Sequence, residues 1–246
     1  MTRLPFGITG TSEDVWRAWH APAAWPTLDV VRPGRAVVVS PHPDDEALGV
    51  GGTIWTLVQY GWTVDVVAVT DGEGSHPATP ERSASDLAST RRAEQRAAMD
   101  VLGVPPGRLH LLALGDGTVA EHEDAVTGLV GGLLEAGTWL LAPWERDGHR
   151  DHDATGRAAQ RAAAAHGARL LRYLVWAWYW ATPSHPSIAT WRPVRIELSG
   201  AARDAKRAAV SRYASQIGGP DDAATDVVVP ARALAHHSRS WEMLLT

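Results

Sequence analysis

The 246-residue sequence predicts an α/β fold built on a mostly parallel sheet flanked by helices, and three observations lead there. Short apolar runs of strand length recur at 36–40, 63–70, 108–114 and 138–144. Segments of helical spacing fall between them, an alternation that feeds parallel strands through helical crossovers. The runs are apolar on nearly every residue rather than every second one, which suits strands covered on both faces. The length suits one α/β domain without a dividing linker. The expected organisation is therefore a single domain over 1–246, with 1–35 as an N-terminal extension packed on it.

Taken in order, the extension begins with turn residues and continues into a short helix, TSEDVWRAWH, capped by Thr11 or Ser12. AVVVS (36–40) reads as the first buried strand. A helix is expected near 46–60, a strand in TVDVVAVT (63–70), a long helix near 82–102 and a strand in RLHLLAL (108–114). A helix near 121–136, a strand in TWLLAPW (138–144) and an Ala-rich helix near 153–166 follow. RLLRYLVWAWYW (169–180) reads as a strand whose Trp176, Trp178 and Trp180 share one face. A core or subunit-contact role suits these aromatics better than a substrate-stacking wall. Beyond lie a strand at 194–198, a helix across 200–215, a Gly-Pro-Asp break at 218–222 and a short helix after Pro230.

Composition excludes several function classes. Lys and Arg are dispersed among Asp and Glu with a net charge of −5, which disfavours nucleic-acid binding. Cys is absent, so disulfides and thiolate metal sites are ruled out, and any bound ion must be held by nitrogen and oxygen. No run reaches the ~18 apolar residues that would span a bilayer, and MTRLPFGITGTSEDVW has no apolar signal core. A cytoplasmic protein with no membrane insertion is the expectation.

Two segments carry chemistry. SPHPDDEALGVGG (40–52) follows the first strand, and ligands bind outside the carboxyl ends of strands in open α/β sheets. His42, Asp44, Asp45 and Glu46 would repel one another unless a cation or well-placed donors compensate. DGHRDHD (147–153) follows the strand at 138–144 and would share the same sheet edge. Either fragment alone could be a turn entering a helix, with Asp44 or Asp45, or Asp151 or Asp153, as the cap. Placed at the ends of two apolar strands, the pair points to a compact N/O site for Zn²⁺ or another divalent ion.

These residues resemble the PIG-L/LmbE-like N-deacetylases, zinc-dependent enzymes of Rossmann-like fold that remove acetyl groups from amino-sugar conjugates. The family's P/A-H-P-D-D-E corresponds to Pro41–Glu46 here, and its H-x-D-H to His149-Arg150-Asp151-His152. R-x-x-E with a later Leu-Gly matches Arg91, Glu94 and Leu102-Gly103, and K-x-x-A with a later Ser-Gln matches Lys206, Ala209 and Ser215-Gln216. The resemblance spans roughly residues 36–216. Tyr213 departs from it, because the tract before Ser-Gln commonly carries His there.

The resemblance implies His42, Asp45 and His152 as metal ligands, Asp44 as general base, and His149 as a protonated group stabilising the oxyanion or leaving amine, with Asp151 favouring its charge. Glu46 is expected to brace the helix start, and Gly49, Gly51 and Gly52 to allow close helix packing. On the substrate side, Asp71, Glu73, Ser75 and His76 of TDGEGSHP (70–77) could meet sugar hydroxyls, Arg91 a hydroxyl or anionic substituent, and Asp116 a further polar group. His236 and His237 read as solvated helix residues.

The implied activity is hydrolysis of an N-acyl, in the family acetyl, group on a small amino-sugar substrate, and a homo-oligomer is compatible with the sequence. The alternatives are a metal-dependent phosphoesterase on the same fold and a non-catalytic α/β binding module.

Overall fold

The computed structural model describes residues 10–19, 21–80, 82–217 and 227–246. The turn-rich start at 1–9 and the break at 218–222 lie outside them. In chain order the elements are α1 (Glu13–Arg17), β1 (Arg35–Ser40), α2 (Asp45–Gln59), β2 (Thr63–Thr70), α3 (Ala84–Leu102), β3 (Leu109–Leu114), α4 (Glu123–Gly131), β4 (Trp139–Pro143), α5 (Arg150–His166) and β5 (Arg169–Tyr173). They continue through α6 (Ala177–Trp180), β6 (Pro193–Glu197), α7 (Gly200–Val210), α8 (Ala214–Ile217), α9 (Ala231–Leu234) and β7 (Trp241–Leu245).

The strands form one seven-stranded sheet of order β3-β2-β1-β4-β5-β7-β6. β1 pairs in parallel with β2 and β4, and β2–β3 and β4–β5 are also parallel. β7 runs antiparallel to both β5 and β6. Burial on both faces explains the unbroken apolar runs. Ala36 and Val38 of β1 join Leu141 of β4 in one core, while Val37 and Val39 join Leu140 and Ala142 in the core on the other face. This is the mostly parallel, helix-flanked sheet that the sequence predicts.

Strand order reverses between β1 and β4. Connections leave β1 toward β2 and β3 on one side and β4 toward β5 on the other, which opens a crevice at the carboxyl ends of β1 and β4. The two chemistry-bearing segments emerge there. On one face α2 lies close to the sheet because glycine is small: a Cβ at Gly49 would fall 2.3 Å from Tyr173 Cδ2, and one at Gly52 2.5 Å from Leu198 Cδ1.

Three expectations need correction. The run at 169–180 is not one strand, since β5 ends at Tyr173 and Trp176, Trp178 and Trp180 do not share a strand face. The helix at 121–136 shortens to 123–131. The C-terminal strand β7, unforeseen, sits inside the sheet between β5 and β6. In the described part of the extension, Trp16 Nε1 donates to Trp178 O at 2.7 Å. Among the described residues no helix is long and apolar enough to cross a membrane.

Candidate active site

The turn after β1 delivers His42, Asp44 and Asp45. Asp45 Oδ2 accepts the His42 backbone N–H at 3.0 Å, which closes the turn and fixes the carboxylate. The same oxygen lies 3.2 Å from His42 Nδ1 and 3.2 Å from His152 Nε2, so one carboxylate stands between two imidazoles that are 110 positions apart. Asp44 has a backbone φ of 134°, a conformation that costs a non-glycine residue energy. Glu46, fully buried, accepts from Ser40 Oγ at 2.5 Å, from Asp44 N at 3.4 Å and from the Tyr213 hydroxyl. Tyr213 thus braces the turn from a distant segment and is itself fully buried.

His152 comes from the first turn of α5, which starts at Arg150. The N-cap is His149, whose Nδ1 accepts the Asp151 N–H, rather than either aspartate. Asp151 turns instead toward His42 Nε2 at 3.3 Å and accepts the Gly117 and Val119 N–H groups. His152 Nδ1 is held 2.8 Å from Asp147 Oδ2, and Asp147 also accepts the N–H groups of Val175, Trp176 and Ala177. Asp147 is fully buried, and the sequence reading gave it no role. Its only sequence signal is its place in the acidic loop directly after the buried strand β4.

With the carboxylate on Nδ1, the proton of a neutral His152 is fixed there and the Nε2 lone pair is free, the arrangement by which carboxylates orient metal-binding imidazoles. That Nε2 is buried and has no hydrogen-bond partner, despite its proximity to Asp45. Ligand atoms of His42, His149 and His152 all lie within 4.8 Å of one another, and so do those of His42, Asp116 and Asp151. A set of imidazoles and carboxylates around an orphaned ring nitrogen fits a divalent ion of the Zn²⁺ type.

The electrostatics agree. Burial alone would lower the pKa of His42, but Asp116, Asp151 and Asp45 raise it well above the usual value. Burial likewise opposes charge on His152, yet Asp45 and Asp147 push it up to about 9. The acidic surroundings favour positive charge, which two protons or one dication can supply. Burial pushes Asp44 up to about 8 against the pull of Arg91. His149 goes the other way: burial, then the charges of His42 and His152, lower it to about 3. With His149 Nδ1 accepting the Asp151 N–H, a neutral His149 carries its proton on Nε2. Asp151 raises the His149 pKa, as the sequence reading expects, but burial and the two neighbouring imidazoles outweigh it.

A cleft is lined by His42, Asp44, Asp45, Arg91, Asp116 and His149, with Ser75, Gln216 and an apolar group of Leu48, Trp176, Val228 and Val229. Arg91 is buried and donates to Gly72 O, Pro43 O and Asp44 Oδ2. Asp116 Oδ1 lies 3.2 Å from His42 Nε2 and its Oδ2 accepts the Gly74 N–H. Glu73 and His76 are not among the lining residues: Glu73 accepts the Asp116 N–H, and His76 Nδ1 sits 3.0 Å from Ser75 Oγ. Asp71 is paired with Arg92 at 2.8 Å. His236 is buried against Glu13 rather than solvated.

Comparisons with known proteins agree with this geometry. The chain is 34% identical over 131 residues to a diacetylchitobiose deacetylase of Thermococcus kodakarensis, covering 50% of this chain and 46% of that protein. It is 31% identical over 157 residues to a 1D-myo-inositol 2-acetamido-2-deoxy-alpha-D-glucopyranoside deacetylase of Geodermatophilus obscurus, covering 53% of each. The chain thus spans about half the length of the curated relatives it matches. The solved structure of an antimicrobial pseudoaglycone deacetylase superposes with a TM-score of 0.63 at 23% identity, over 86% of this chain and 96% of that one, a likeness of fold. The family model described as PIG-L: GlcNAc-PI de-N-acetylase matches residues 37–163, which include both segments of the site. On that match, over just more than half of its length, the chain belongs to the PIG-L family.

Proposed function

We propose that this chain is a metal-dependent hydrolase that removes an N-acyl group, acetyl in the simplest case, from a small amino-sugar-containing molecule. One observation carries the reading: Asp45 Oδ2 stands 3.2 Å from both His42 Nδ1 and His152 Nε2, with the Asp44 carboxylate lining the same cleft. His42, Asp45 and His152 would hold the ion, with Zn²⁺ the first choice for this donor set. When bound, such an ion supplies a water of lowered pKa and polarises an amide carbonyl.

The protein's own groups do the rest. Asp44, kept from bulk water, takes the proton of the attacking water and returns it to the departing amine. His149 offers its Nε2–H to the oxygen that gains charge, a neutral donor in a buried site. Asp151 orients that imidazole through its backbone N–H, and Asp147 orients His152. Arg91 positions Asp44, and Asp116, 3.2 Å from His42 Nε2, also lines the cleft. Glu73 and His76 support the rim from behind Asp116 and Ser75. The chain from 1 to 246 is read as one domain with 1–35 packed on it, working in the cytoplasm on a small molecule.

The test is metal analysis paired with kinetics. Asp44→Asn is expected to retain the ion and lose about 10²- to 10⁴-fold in deacetylation of N-acetylglucosamine conjugates. His152→Ala is expected to lose the ion. Equal ion loss in both variants would overturn the division of roles, and turnover of phosphate esters in place of amides would overturn the reaction class.

A further inference from the structure

Arg91 is the sole Lys or Arg among the described residues lining the cleft. Its Nη1 donates to Gly72 O at 2.8 Å, and its Nη2 to Pro43 O at 2.7 Å and to Asp44 Oδ2 at 3.3 Å. Gly72 has a φ of +65°, and a Cβ there would fall 2.0 Å from Nη1, so glycine is what lets the loop close over the guanidinium. Arginine grips a phosphate or carboxylate through two parallel N–H groups. Here both Nη2 donors are engaged, one by Pro43 O and one by Asp44 Oδ2. One Nη1–H and the buried Nε–H remain, and both suit a neutral hydroxyl.

Three carboxyl groups share the rest of the lining with His42, His149, Ser75 and Gln216. Asp44, Asp45 and Asp116 supply them, and Asp151 stands behind His42. An ion held by His42, Asp45 and His152 would lie among these carboxylates and offer an anion no uncompensated charge. Part of the lining is apolar. Leu48 follows Asp44 by one helical turn, its N–H on Asp44 O, and Trp176 sits on the Asp147 carboxylate that orients His152. With Val228 and Val229 they form an apolar wall beside the reacting groups.

We propose that the site selects uncharged N-acyl amino sugars carrying an apolar substituent and rejects those bearing phosphate, sulfate or carboxylate. This selectivity rests on the deacetylase reading above.

Three matched substrates test it on the zinc-loaded full chain: N-acetylglucosamine, its phenyl β-glycoside and its 6-phosphate. Amine release is followed, and the affinity of the three deacetylated counterparts is measured in parallel by calorimetry. The phenyl glycoside is expected to exceed the free sugar about tenfold in kcat/KM and in affinity, and the phosphate to fall at least about tenfold below it. A phosphate handled as well as the free sugar, a phenyl glycoside no better than it, or indistinguishable affinities overturns the proposal. Affinities in the expected order with no amine released support the selectivity while sinking the deacetylase reading.

Discussion

At the scale of single residues, the strained backbone of Asp44 is held by side chains brought from elsewhere. Glu46 receives the Asp44 N–H, the Ser40 hydroxyl and the Tyr213 hydroxyl, all out of water. Tyr213→Phe removes one donor from a buried carboxylate, a loss of about 1–3 kcal/mol in stability. Activity is expected to fall more than that loss of fold accounts for, at unchanged zinc content by elemental analysis; if zinc leaves with activity, Glu46 supports Asp45 instead. Asp147→Asn is expected to weaken zinc binding about 10- to 100-fold, measured by competition with a chelator. Legibility divides along the same line. His42, Asp44, Asp45, His149 and His152 were readable because their side-chain chemistry is concentrated in two short segments. Asp147 and the Tyr213–Glu46 contact were not, because their meaning lies in partners that only the fold brings together. The downward pull on the His149 pKa was not legible either, because it comes from burial and from imidazoles that the fold brings close.

At the scale of elements, alternation of Trp at 176, 178 and 180 has the period of a strand, yet α6 forms there. Asp147 captures three consecutive N–H groups at 175–177, so those donors are unavailable to a sheet ladder and the chain turns. A local side-chain acceptor outweighs periodicity, and no sequence pattern announces that contest. β7 was missed for a similar reason, as WEMLL is too short to separate from a helical turn by pattern alone. Where elements were long and apolar they were read closely, with β2 at the expected 63–70. Packing of α2 on β5 gives a direct test. Gly49→Ala drives a methyl into Tyr173, a fully buried side chain whose hydroxyl donates to Val39 O, and is expected to cost about 1–3 kcal/mol in chemical denaturation. An unchanged midpoint would show that Tyr173 has room to retreat.

At the scale of the whole molecule, α1 meets the segment that precedes β7. Glu13 of α1 accepts from Arg239 through both nitrogens and lies 2.9 Å from His236 Nδ1. Burial would raise the Glu13 pKa, but these partners outweigh it and lower the group from 4.5 to about 2. A carboxyl depressed on folding stabilises above its unfolded pKa, and that contribution is lost as pH falls from about 4.5 toward 2. Thermal melts between pH 6 and pH 2 should therefore show the native chain losing more Tm than Glu13→Gln; parallel curves would remove the latch from the account. The switch point between β1 and β4 and the alternating order of elements were legible together, since both follow from buried strands joined by helices. Asp147 belongs to this scale as well, because one carboxylate clamps both the imidazole of His152 and the peptide that carries Trp176. Occupancy of the inorganic site and shape of the hydrophobic wall are then thermodynamically linked, and linkage is reciprocal. Chelation should perturb the indole spectrum, and a hydrophobic guest should slow escape of zinc.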